Sequence, residues 1–145
     1  MLITMPDDLR GGKKSARVLF VCVENSCRSQ IAEAFARMHG GDLIEPYSAG
    51  SRPSGQVNPK AVQMMSEVGY DLGAHHSKSL SEIPDLEYDF AVTMGCGDEC
   101  PYVRARARED WAIPDPKAMG AAEFREVRDM IEQKVKELLA RLRTS

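Results

Sequence analysis

The chain has 145 residues, 43% of them hydrophobic and 28% charged, with a formal net charge of −3. That is enough apolar material for the core of one domain, and it lacks the basic excess that binding nucleic acid calls for. No apolar run approaches the ~20 residues that cross a bilayer. The stretch from Met1 to Ser15 mixes charges with Gly11 and Gly12 where a secretory signal would be apolar. A flexible tail over residues 1–15, one domain over 16–145 and a cytoplasmic location are therefore expected, with neither nucleic acid nor membrane as partner.

In chain order, Arg17 to Val21 is a continuous apolar run with β-branched content, as suits a strand covered on both faces. After a short polar loop, Ile31, Ala34, Phe35 and Met38 recur at helical spacing, and Gly40-Gly41 stop that helix. Leu43 to Ser48 reads as a second strand, and Pro46 assigns it to a sheet edge. Asn58-Pro59 opens a helix with a capping side chain and a proline at the first helical position, running to about Val68 before Gly69. Asp89 to Met94 predicts a third strand and Glu109 to Ile113 a short fourth. A final amphipathic helix carries Phe124, Val127, Ile131, Val135, Leu138 and Leu142 on one stripe. Alternating strands and helices imply an α/β fold: a three-layer α/β/α arrangement around a four-stranded parallel sheet. Ligands of such sheets bind beyond the carboxyl ends of the strands. The segments holding Cys22, Cys96 and Asp115 each follow a predicted strand, so three chemically loaded loops converge on one rim.

The four cysteines fall in two close pairs, Cys22 with Cys27 and Cys96 with Cys100, rather than being spread as staples. A reduced cytosolic setting makes chemistry the better explanation of that clustering than disulfide bracing. Val21-Cys22-Val23-Glu24-Asn25-Ser26-Cys27-Arg28-Ser29 joins the first strand to the first helix. The main-chain N–H groups of Val23, Glu24, Asn25, Ser26 and Cys27 are expected to cradle an oxyanion there, aided by the positive end of the helix. The Arg28 guanidinium matches two oxygens of a tetrahedral anion, and the same field favours the thiolate form of Cys22. Asn25 tolerates a left-handed backbone, and Ser29 is placed to donate to the Cys22 sulfur.

The string Cys22-x5-Arg28-Ser29, with Asn25-Ser26-Cys27-Arg28-Ser29-Gln30 inside it, resembles the signature of low-molecular-weight protein tyrosine phosphatases and the arsenate reductases built on their scaffold. The likeness runs from about Arg17 to the last helix and implies that fold for residues 16–145. It implies that Asp115, in Ile113-Pro114-Asp115-Pro116, matches the family's general acid, although a Pro-Asp-Pro turn is the plainer explanation of that segment alone. It implies a thiol relay for the thioredoxin-linked reductases. Cys22 attacks arsenate, Cys96 displaces arsenite to leave a Cys22–Cys96 disulfide, and Cys100 moves the bond to Cys96–Cys100 for thioredoxin or another thiol reductant to open. In the best-known branch the shuttle cysteines stand further apart than the three intervening residues here. One helical turn of ~6 Å would still bring such a pair within disulfide reach. Gly95 and Gly97 would give that loop freedom.

No cofactor is called for. Some relatives hold potassium beside the loop; Asn25, Glu33 and Ser48 resemble three of the ligands, but Lys78 stands where an aspartate ligand would be, so no metal site is expected. His75, His76 and the Cys96/Cys100 pair make a poor zinc set, since adjacent histidines seldom share one tetrahedral ion. His75 and His76 read as polar loop residues. Three activities remain in competition: arsenate reduction, hydrolysis of phosphotyrosine or a small phosphate ester by Cys22, Arg28 and Asp115, and a non-enzymatic thiol sensor. The relay pair, and the lack of aromatic residues in Ser51 to Gly55 and Pro116 to Met119, favour reduction.

Overall fold

The computed structural model describes residues 15–95 and 102–144; residues 1–14 of the expected tail, and both Cys96 and Cys100, lie outside them. Ser15 donates its hydroxyl hydrogen to the Asp42 carbonyl at 2.6 Å, which ties it to the folded part.

Ala16–Cys22 forms strand β1, buried from Val18 to its end. Cover on both faces is why this stretch is apolar without alternation. β1 lies between β2 (Ile44–Gly50) and β3 (Tyr88–Thr93), with β4 (Ala105–Asp110) beyond β3. The order is β2-β1-β3-β4 and every pairing is parallel. Pro46 sits opposite Val18 on edge strand β2, where a residue without an N–H is tolerated.

The main helices are α1 (Arg28–Gly40), α2 (Pro59–Ser66) and α3 (Ala121–Arg143). The Asn58 side chain caps α2 by accepting from the Lys60 N–H at 2.8 Å. α2 stops two residues short of the expected Val68, because the N–H groups of Val68 and Tyr70 both turn back to the Met65 carbonyl. One core unites Val18, Phe20 and Val92 of the sheet with Ile31 and Phe35 of α1, Met64 and Met65 of α2, and the α3 stripe from Phe124 to Leu139. The opposite sheet face, Leu19, Val21, Ala49 and Tyr88, packs under Leu80, Ile83, Leu86 and Val103, which include the 3-10 turn Leu80–Glu82. The α/β architecture is thus a four-stranded parallel sheet flanked by helices.

The fourth strand differs from its sequence reading. It occupies Ala105–Asp110 instead of Glu109 to Ile113, pairing Tyr88↔Ala105 through Thr93↔Asp110. This edge is largely exposed, so its sequence Ala-Arg-Ala-Arg-Glu-Asp carries no apolar run to announce it. The apolar residues that suggested a strand, Trp111 and Ile113, lie just past it and plug the core, Trp111 against Phe20. From β1 the chain goes first to β2 on one side and then crosses back to β3 on the other, so the strand order reverses at β1. That is the place in such a sheet where a crevice opens at the strand's carboxyl end, and Cys22 stands there.

Candidate active site

The loop after β1 is held from outside by its carbonyls. Val23 O accepts from Arg52 N at 2.8 Å and Ser26 O from Asn58 N at 2.8 Å. Glu24 O accepts from both Ser54 N at 3.1 Å and the Ser77 hydroxyl at 2.8 Å. A trans peptide sets its N–H opposite its C=O, so the N–H groups following these carbonyls are left for the inner side of the loop. α1 begins behind it with Cys27 as its cap residue, no side-chain capping bond and no acidic residue in its first turn. Its positive end therefore faces the loop with no acidic residue in its own first turn to offset it. Gly50, opposite Cys22 in the register, makes the fit close: a Cβ there would lie 2.5 Å from Val23 O and 2.8 Å from Asn25 N.

Asn25 is the one non-glycine residue with positive φ (50°) among the described residues, in the left-handed region that its side chain tolerates. That side chain is fully buried. Its Nδ2 donates to Ser29 Oγ at 2.8 Å, and its Oδ1 accepts from Gln30 Nε2 at 2.8 Å and from Lys78 N at 2.9 Å. Ser29 Oγ lies 2.9 Å from Cys22 Sγ. Since Ser29 already accepts from Asn25, its own hydrogen is free to point at the sulfur. Gln30 is oriented in turn by His75 Nδ1 at 2.9 Å, whose other ring nitrogen meets the Tyr70 hydroxyl at 2.6 Å. His75 is thus a half-buried brace, more than the polar loop residue its sequence suggested. Burial lowers its pKa from the ordinary 6.5, against the opposing pull of Glu33.

A cavity of about 410 Å³ opens above this loop, lined by Cys22, Glu24, Cys27, Arg28, Asp115 and Lys117 among others. Arg28 Nη1 donates to the carbonyls of Met94 at 2.6 Å and Ile113 at 3.0 Å, which fixes the guanidinium against the ends of two neighbouring segments. Its Nη2 lies 3.9 Å from Asp115 Oδ2. Asp115 both makes the turn and reaches the site: Oδ1 accepts from Lys117 N at 3.0 Å, capping the 3-10 turn Pro116–Ala118, while the other oxygen faces Arg28. Cys22 and Cys27 are both free thiols and both buried. Burial, and then the charges of Asp115 and Cys22, push the Cys27 pKa up to about 12. Cys27 therefore stays a neutral thiol, whereas Cys22 has a hydrogen-bond donor at its sulfur. Gly95 has φ +81° and a Cβ there would lie 3.1 Å from Ile113 O, so the close approach of the Asp115 segment is what calls for glycine here.

Behind the loop, Lys78 Nζ donates to Ser48 Oγ at 3.1 Å and to His76 O at 3.3 Å, and lies 3.7 Å from Glu33 Oε1. Ser48 Oγ in turn donates to Glu33 Oε1 at 2.5 Å. The Lys78 ammonium thus sits against two of the three side chains that resemble cation ligands, Ser48 and Glu33. Burial lowers the Lys78 pKa, and the Glu33 carboxylate works against that shift. Sequence reasoning singled out Cys22, Arg28 and Asp115, which the fold brings to one cavity, and Ser29, which lies buried against the Cys22 sulfur. It missed Gly50, Ser77, the Glu24–Lys117 pair and the Met94 and Ile113 carbonyls. Only the pattern Ala49-Gly50 at a strand end hinted at any of them.

A parallel α/β sheet with a cysteine at the switch-point strand end, an anion loop and an arginine at the start of the next helix defines a phosphate-loop thiol enzyme scaffold. Over residues 17–145 the chain belongs to the low molecular weight phosphotyrosine protein phosphatase family. It is 37% identical over 129 residues to a glutaredoxin arsenate reductase of Synechocystis sp., covering 87% of this chain and 98% of that protein. A solved arsenate reductase in its phosphate-binding state superposes with a TM-score of 0.79 at 37% identity, over 88% of this chain and 98% of the other. A thioredoxin-dependent arsenate reductase of Corynebacterium glutamicum gives a TM-score of 0.72 at 29% identity, over 94% of this chain and 66% of that one. Among the described residues no helix is long and apolar enough to cross a membrane.

Proposed function

We propose that this chain is an arsenate reductase, working in the cytoplasm, that converts arsenate to arsenite with electrons from a protein or small-molecule thiol. The observation that carries this reading is the contact of Ser29 Oγ with Cys22 Sγ at 2.9 Å, beside Arg28 in the cavity above the loop. The similarity to arsenate reductases supports the choice of substrate. Cys22 attacks arsenic as the thiolate and an oxygen leaves as water, giving a thiol–arsenate adduct. The main-chain N–H groups from Val23 to Cys27 hold the oxyanion. With Nη1 of Arg28 engaged by carbonyls, its Nε–Nη2 edge faces two of the oxygens. Cys96 then attacks the Cys22 sulfur; the electron pair of the S–As bond passes to arsenic, arsenite departs, and the two cysteines are oxidised to a disulfide. Cys100 displaces Cys22, and the reductant opens the Cys96–Cys100 bond.

Asp115 is the proton donor to a departing oxygen, and its place beside the cavity supports that role. The same parts suit hydrolysis of small phosphate esters, so a residual phosphatase activity accompanies the reductase. The test is steady-state arsenate reduction with thioredoxin, and separately with glutathione and glutaredoxin. The reading predicts turnover with at least one of these systems and none in Cys22→Ser. Hydrolysis of phosphate esters with no arsenate turnover under either system would replace it with the phosphatase reading.

A further inference from the structure

The cavity mouth carries a feature that neither the anion loop nor the relay uses. Glu24, in the loop after β1, and Lys117, two residues past Asp115, are 93 positions apart in sequence yet form an ion pair. Lys117 Nζ lies 3.1 Å from Oε2 and 3.3 Å from Oε1 of Glu24. Both residues line the same cavity as Cys22 and Arg28. Each end is anchored: the Glu24 carbonyl is held by Ser54 and Ser77, and the Lys117 N–H by Asp115. The pair therefore spans from the loop after β1 to the turn that bears Asp115, on the lining of the cavity that holds Cys22 and Arg28.

We propose that the Glu24–Lys117 pair is a specificity strap, admitting a bare tetrahedral oxyanion and opposing one that bears an aryl group. This rests on the proposed function above and names the substrate class of the same site. An inorganic oxyanion fits beneath the pair, whereas an aryl substituent must leave between the two segments and separate the charges. The side chains are 41% and 55% exposed, so solvent screens the pair and its effect is modest. Breaking it shifts selectivity by about two- to fivefold, the range of an exposed ion pair.

The experiment is calorimetric titration of the reduced, full-length protein with inorganic phosphate and with phenylphosphonate, which is not hydrolysed. Glu24→Ala removes a negative charge and strengthens binding of both anions; Lys117→Ala removes a positive charge and weakens both. A charge effect alone thus moves the two variants in opposite directions. The strap instead predicts that the affinity ratio of phenylphosphonate to phosphate rises in both, and falls back in the charge-exchanged double variant Glu24→Lys/Lys117→Glu. An unchanged ratio in either single variant, or a double variant that fails to restore it, overturns the strap while leaving the reductase reading intact. Failure of the wild-type protein to bind phosphate overturns both.

Discussion

At the scale of single residues, the proposed chemistry turns on one hydroxyl hydrogen. Asn25 donates to Ser29 and thereby aims the Ser29 hydrogen at Cys22. A hydrogen bond to a charged group is worth about 1.5–3 kcal/mol. Ser29→Ala is therefore expected to slow arsenate reduction by roughly 10- to 100-fold, since 1.4 kcal/mol is about tenfold. Unchanged kcat/KM for arsenate in that variant would show that the sulfur needs no such donor. Much of this was legible beforehand: Cys22, Asn25, Arg28 and Ser29 occur in one short string whose spacing follows from the chemistry. What was not legible is what anchors them. The Met94 and Ile113 carbonyls that hold Arg28 are main-chain groups 66 and 85 positions away, and any residue type supplies a carbonyl.

At the scale of elements, β2 presses on the anion loop, and Gly50 is where they touch. Overpacking costs about 1–3 kcal/mol. Gly50→Ala is expected to lower the unfolding free energy by about that much and to weaken phosphate binding in parallel, because the displaced atoms are Val23 O and Asn25 N. Denaturant unfolding with a phosphate titration checks both; normal values for both would mean that the loop accommodates a methyl group. Helices α2 and α3 are joined by Glu67, which accepts from Arg125 at 2.8 Å and from Arg128 at 2.8 Å. Hydrogen bonds from Arg125 and then Arg128 hold its carboxyl down to about 2, against an ordinary 4.5. The unfolded chain takes up the proton first as pH falls, so this contribution is complete above 4.5 and is lost on the way down to about 2. Thermal melts should show a shallower acid decline for Glu67→Gln than for the wild type, and coincident declines would remove Glu67 from the account. The elements themselves were legible wherever burial imposed an apolar run or stripe, as in β1 and α3. β4 escaped because an exposed edge strand imposes none.

At the scale of the whole molecule, the sheet order places Cys22, Arg28 and the Asp115 carboxylate around one cavity, although the carboxylate comes from a segment far along the chain from the other two. That convergence was legible from the rule that ligands gather at strand carboxyl ends. The cross-cavity pairing of Glu24 with Lys117 was not, because two exposed charges in separate loops carry no spacing. The account's central claim is that reduction, unlike hydrolysis, draws on a second thiol outside the anion loop. The most direct measurement is arsenate turnover by Cys96→Ala with the reductant that serves the wild type, alongside phosphate binding to the same variant. The account predicts phosphate affinity like that of the wild type, because the loop from Cys22 to Arg28 is left in place, and no sustained production of arsenite. Arsenite formation at the wild-type rate would contradict it.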